Sequence, residues 1–214
     1  MDQSLAVLGI LVAITLGSMS PGPSFVVIAR VSLAQSRAEG IAAAAGLGVA
    51  SMIFTCLALG GLHVVLEQVG WLYLVVKLVG GAYLVYLAYR IFTGAKEPLS
   101  MDMPVRDKKQ SRGLAKAFLL GFGTQLSNPK TAIVFASVFA TFLTARPEPW
   151  LYLALVPAIF MVEATWYSIV ATALSSERPR RAYGRAKGWI DRIASTVLGV
   201  MGASLIGEAV AATD

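Results

Sequence analysis

Few side chains in this chain could do chemistry, and those few stand in apolar surroundings. Glu163 falls about midway along a hydrophobic run, beside Thr165, Trp166 and Tyr167. An ionisable group in such a place faces a cavity or a partner. It could carry a proton, hold a substrate amine, or pair structurally with Lys130 or Lys77. Lys130 directly follows Asn128-Pro129. Its ammonium could bind a substrate carboxylate or replace a lost helix contact. Lys77 stands roughly 10 Å inside another run at helical rise, and could also snorkel outward to the interface. Gln125, Asn128, Ser20, Ser24 and Thr131 supply hydrogen-bonding groups for a solute or for irregular backbone.

Several of these residues gather at two breaks. Ser20-Pro21-Gly22-Pro23-Ser24 interrupts the apolar run Leu5–Ile28, and Ser127-Asn128-Pro129-Lys130 interrupts the run from Leu114 to about Thr144. Proline removes a backbone donor and clashes with the preceding turn. In lipid such a break survives only where protein or a water-filled cavity satisfies the freed backbone groups. A half-helix beginning after Pro23 offers N–H groups and the positive end of its dipole, suited to a carboxylate. A half-helix ending before a break offers carbonyls, suited to an ammonium. A zwitterionic amino acid carries both charges. One break alone reads as a packing kink; two in corresponding positions favour a site. The substrate-binding candidates are Ser20, Pro21, Gly22, Pro23, Ser24, Gln125, Asn128, Pro129 and Lys130. Glu163 and Lys77 are the candidates for proton coupling or counter-charge.

The elements that position them are six apolar runs. Besides the two broken ones they are Gly40 to about Leu66, Trp71 to Phe92, Trp150 to Leu174 and Trp189 to Ala209. Each reaches the ~20 residues that cross ~30 Å of hydrocarbon. With 57% hydrophobic and 14% charged residues and a mean hydropathy of +0.70, the expected class is an all-α integral membrane protein. The first run lacks a basic leader and is too long for a signal peptide, so it is expected to remain as a span. Basic residues gather between runs one and two, three and four, and five and six. The positive-inside rule places those connections in the cytoplasm and both termini outside. The net charge of +6 therefore reflects orientation, not nucleic-acid binding.

The two breaks lie 107 residues apart when serine is matched to serine, half of the 214-residue chain. Each half has one broken run followed by two plainer ones. The expectation is a single membrane domain over 1–214, with halves at about 1–93 and 113–214 joined by a cytoplasmic loop, 94–112. Three spans per half require opposite orientations, the 3+3 inverted-repeat plan of many secondary transporters, with runs one and four broken. The stripes Gly40/Ala44/Gly48, Ala42/Gly46/Ala50 and Gly199/Ala203/Gly207 allow close helix contacts and permit a homodimer.

Other classes fit less well. One cysteine, Cys56, and one histidine, His63, leave no CxxC or multi-histidine metal site, and His63 with Glu67 lacks further ligands. No metal or cofactor is expected. A Gly-x-Ser-x-Gly turn and an HExxH motif are absent, against an enzyme. A non-transporting scaffold could use the small-residue stripes, but would gain nothing from Glu163 and two breaks.

The chain resembles the LysE/RhtB family of amino-acid exporters. The resemblance rests on Ser20-Pro21-Gly22-Pro23 with Ser24-Phe25-Val26-Val27-Ile28, Ala45-Gly46-Leu47-Gly48, and Lys77-Leu78-Val79-Gly80-Gly81-Ala82-Tyr83-Leu84-Val85-Tyr86-Leu87. It continues through Gly121-Phe122 and Leu126-Ser127-Asn128-Pro129-Lys130-Thr131-Ala132. It implies a multi-pass inner-membrane protein that exports amino acids or related metabolites, by proton antiport. Ala140-Thr141-Phe142-Leu143 departs from the Pro-Gln-Phe segment of many relatives.

Overall fold

The computed structural model describes residues 3–68, 70–95, 113–143, 148–174 and 177–211. Most of the expected 94–112 loop, with Pro98 and Pro104, lies outside them, as do the side chains of His63, Glu67 and Trp71. The described residues form eight helices and no strand: α1 Gln3–Met19, α2 Pro23–Ala34, α3 Arg37–Gln68, α4 Gly70–Gly94, α5 Leu114–Leu126, α6 Pro129–Phe142, α7 Pro149–Leu174 and α8 Glu177–Ala211.

Both expected breaks are real helix ends. Pro23 and Pro129 each take the first position of a new helix. There the missing N–H is no loss and the fixed φ suits the helix. Gly22 precedes Pro23 in extended conformation, as residues before proline prefer. Asn128 precedes Pro129, and its side-chain oxygen accepts from the Lys130 N–H at 3.1 Å, an N-cap. The two initiating prolines lie 106 residues apart, one fewer than the serine-to-serine match.

The helices α3, α7 and α8 each contain a segment long and apolar enough to cross a membrane. The pair α1 and α2, bent by 56°, makes a fourth if taken as one span. Two boundaries differ from the sequence reading. Helix α3 starts at Arg37, ahead of Gly40, because Ser36 caps it: Glu39 N–H donates to Ser36 Oγ at 3.1 Å while Ser36 Oγ donates back to Glu39 at 2.8 Å. Helix α8 starts at Glu177, ahead of the expected Trp189, and takes in most of the basic connection between runs five and six. Pro179 falls within its first turn, where proline is tolerated.

Two apolar clusters stack along the bundle. One joins Ile10, Ile14, Leu59, Phe139, Leu155 and Ile159. The other joins Phe25, Ile28, Leu47, Tyr167, Val170 and Leu174. Polar side chains lie between them on three helices: Ser18 on α1, Ser51 on α3 and Glu163 on α7. The core is thus an apolar–polar–apolar sandwich along the helix axes.

Close backbone contacts set the helix pairs. A Cβ on Gly46 would lie 2.1 Å from the Phe118 carbonyl oxygen, and one on Gly121 2.0 Å from that of Ala43. Only glycine lets α3 and α5 approach so closely. A second contact is reciprocal: Gly81 of α4 and Gly202 of α8 each face the other's carbonyl. The stripe Gly199/Ala203/Gly207 is not that contact. Ala203 and Gly207 are exposed, and nothing lies within 4 Å of a Cβ on Gly207. Helices α4 and α8 are also tied at both ends. Lys77 pairs with Glu208 at 2.6 Å. Lys187 donates to Asp191 and to the Gly94 carbonyl, each at 2.8 Å.

Candidate functional site

The two breaks meet. Ser20, Gly22 and Ser24 from the first, with Asn128, Lys130 and Thr131 from the second, line one cavity that also receives Gln125 and Glu163. Its volume is about 30 Å³, room for water but not for an amino acid.

Gln125 organises it. Its amide nitrogen donates to Ser51 Oγ at 2.9 Å and to Glu163 Oε2 at 3.2 Å. Its oxygen accepts from Ser24 Oγ at 2.6 Å and Thr131 Oγ1 at 3.4 Å. Two donors and two acceptors are the full capacity of a carboxamide. Asn128 Nδ2 donates to Ser24 Oγ at 3.1 Å, which links the second break to the first. The other oxygen of Glu163 accepts from Ser18 Oγ. Glu163 is only 2% exposed, so these bonds replace the water its carboxyl group has left.

Lys130 takes a place that the sequence reading reserved for a solute. Its ammonium donates to the carbonyls of Gly17 and Ser20, each at 3.3 Å. These carbonyls belong to the C-terminal turn of α1 and the break after it, where a cation is favoured by the helix dipole. An ammonium has three donors, and two are used on these carbonyls. The neighbouring carbonyl, Ser18 O, accepts from Trp166 Nε1 at 3.0 Å. Three carbonyls at the α1 terminus and the break are therefore satisfied from within the protein.

The remaining candidates lie elsewhere. Pro21, Pro23 and Pro129 shape the breaks but do not line the cavity. Lys77 is paired with Glu208 between α4 and α8, so it is not the partner of Glu163. The direct bonds of Glu163 are to Ser18 and Gln125, not to Lys130. Sequence reasoning missed Ser18, Ser51 and the role of Trp166. Ser51 does not line the cavity and reaches it only through its bond from Gln125; its pairing with Thr55, one turn apart on an apolar helix, was the sequence signal for it.

Two broken helices that close on a polar cavity inside an apolar bundle define a membrane translocator architecture. The chain belongs to the LysE type translocator family, whose family model matches residues 15–209. It is a transporter and not an enzyme. It is similar to the threonine efflux protein of Escherichia coli (strain K12), with 34% identity over 196 residues, 88% of this chain and 91% of that one. Similarity to the threonine efflux protein of Salmonella typhi is 32% over 193 residues, again 88% and 91% of the two chains. An uncharacterized membrane protein of Escherichia coli (strain K12), YahN, is 29% identical over 191 residues, 89% of this chain and 84% of that one. No solved structure matches the chain.

Proposed function

We propose that this protein exports amino acids or closely related metabolites across the bacterial inner membrane as a secondary transporter, driven by proton antiport. The observation that carries the reading is the convergence of both helix breaks with Lys130 and Glu163 on one small polar cavity. Lys130 and the start of α2 would take the substrate carboxylate. Glu163 and the α1 carbonyls would take its ammonium. Lys130 now rests on those carbonyls, so a substrate must draw it away as it binds. That exchange keeps the α1 terminus satisfied in both states, which a lipid environment demands. Glu163 would carry the proton, since a carboxyl group can alternate between accepting and donating to Ser18.

The reading includes six spans in a 3+3 inverted repeat. The helix contacts support it. Exchanging the halves turns α3 packed on α7, and α4 on α8, into themselves, and turns α1 on α7 into α5 on α3, contacts that are all present; the counterparts of α2–α3, α4–α6 and α1–α8 are weak or missing among the described residues. Rocking of one half against the other would open the cavity alternately to each side.

The relatives named threonine efflux proteins make threonine the first substrate to test. Cells loaded with labelled threonine should lose label faster when the protein is expressed. Unchanged efflux of threonine and of a broad amino-acid panel would overturn the reading.

A further inference from the structure

A second charged group lies buried outside the cavity, on α8. Lys187 and Asp191 are 8% and 3% exposed, in the first third of the apolar segment Arg185–Ala211. Asp191 Oδ2 accepts from Lys187 at 2.8 Å, and Lys187 also ties α8 to the Gly94 carbonyl of α4. That accounts for one carboxylate oxygen. The other, Oδ1, is buried as well and bonds to nothing among the described residues. Its neighbours along α8 are engaged elsewhere. Ser195 Oγ donates to the Arg192 carbonyl at 2.8 Å. The Arg192 guanidinium lies over the Trp189 ring, 5.5 Å from its centre, and both residues are exposed. A buried carboxylate oxygen without a donor is costly. A donor that arrives in another state of the protein would remove that cost.

The donor that the geometry offers is Lys130. Helices α1, α6 and α8 pack on one another, and Lys130 lies in the first turn of α6 with its ammonium on α1 carbonyls. Two carboxylates act on its charge, Asp191 more strongly than Glu163. The ammonium makes two of the three bonds it can donate, each at 3.3 Å. Bonds from a charged donor are usually shorter, about 2.7–2.9 Å, so this seat is not a tight one. A flexible four-carbon stem lets the ammonium move while the helix stays in place.

We infer that Asp191 is the counter-charge of Lys130 and receives its ammonium when that group leaves the α1 carbonyls. The second half of this inference rests on the transport reading, in which a substrate draws Lys130 away. A charge that moves inside an apolar bundle needs a partner along its whole path. The substrate carboxylate is one partner, but it departs with the substrate. Asp191 Oδ1 stays with the protein. Lys187 on Oδ2 holds the carboxylate in position, so α8 need not move to receive the ammonium. Asp191 does not line the cavity; it is a positioning residue that acts through Lys130.

The test is a double-mutant cycle between Lys130→Gln and Asp191→Asn, read in two ways. The first readout, the Tm of the purified full chain, requires no transport. Asp191→Asn should lower Tm less in the Lys130→Gln background than in the unaltered protein. Fully additive losses would overturn the inference, whatever the protein carries. The second readout is threonine counterflow in proteoliposomes. Asp191→Asn should slow exchange about tenfold, within the range of coupling between interacting residues, and Asp191→Glu should restore most of the rate. Lys187→Gln loosens α4 from α8 but leaves the Asp191 charge, so it should lower Tm and keep most of the exchange. Undiminished exchange by Asp191→Asn would overturn the inference. Equal slowing by Lys187→Gln would do so too, because Asp191 would then act through the α4–α8 contact. No exchange by the unaltered protein would instead overturn the transport reading, and the Tm cycle would still decide whether Asp191 and Lys130 are paired.

Discussion

Glu163 is the residue on which the proposed mechanism turns. Its two oxygens contact Ser18 and Gln125, and Gln125 in turn holds Ser24, Thr131 and Ser51. A change in its protonation therefore reaches both breaks through one side chain. Glu163→Gln keeps the volume and one acceptor but cannot exchange a proton. In proteoliposomes this variant should still perform threonine counterflow while losing accumulation driven by a pH gradient. Undiminished gradient-driven transport would assign proton coupling to another group. Lys130 and Asn128 illustrate how far residues could be read at this scale. Their position after a break marked both as site residues. The Asn128 cap on α6 is local, two residues from its donor, whereas the reach of Lys130 to the α1 carbonyls depends on where α1 lies.

At the scale of elements, α3 is the spine. It packs on α5 through Gly46 and Gly121, and on α7 through Gly48. These contacts place Ser51, Gln125 and Glu163 on three helices within hydrogen-bond reach. Gly121→Ala should force α3 and α5 apart, since its Cβ would meet backbone that cannot rotate away. A loss of about 1–3 kcal/mol is expected for such overpacking. It should appear as a lower Tm of the purified protein, together with reduced transport. Gly207→Ala and Gly61→Ala, whose Cβ would meet nothing within 4 Å, should leave both unchanged. Matching losses in all three variants would show that handling, not the α3–α5 contact, is being measured, since helix propensity favours alanine over glycine. The three small-residue stripes looked alike in sequence. Two pack helices, and the third, Gly199/Ala203/Gly207, largely faces outward, because α8 meets α4 through the face that carries Gly202.

For the whole molecule, the alternating charge of the connections and the self-matching helix contacts make one joint prediction. With Cys56→Ser as background, Glu148→Cys should react with a membrane-impermeant maleimide in intact cells. Gly113→Cys should react only once the cytoplasmic side is exposed. The reverse pattern would invert the topology and exchange the two sides of the proposed cycle.

The sequence by itself determined that this is a helical membrane protein, where its two broken runs lie, and which buried ionisable groups needed explanation. Those conclusions follow from local rules: apolar length, proline's missing donor, and the expense of charge in hydrocarbon. Tertiary structure alone decided the partners. Lys77 was drawn to Glu208, 131 residues away, and out of the site. Lys130 was placed on carbonyls 110 and 113 residues away. Gln125, an ordinary candidate in the sequence, became the centre of the network. No local pattern encodes such pairings, because each depends on how closely two helices approach, and that distance is set by glycine contacts remote from the groups they bring together.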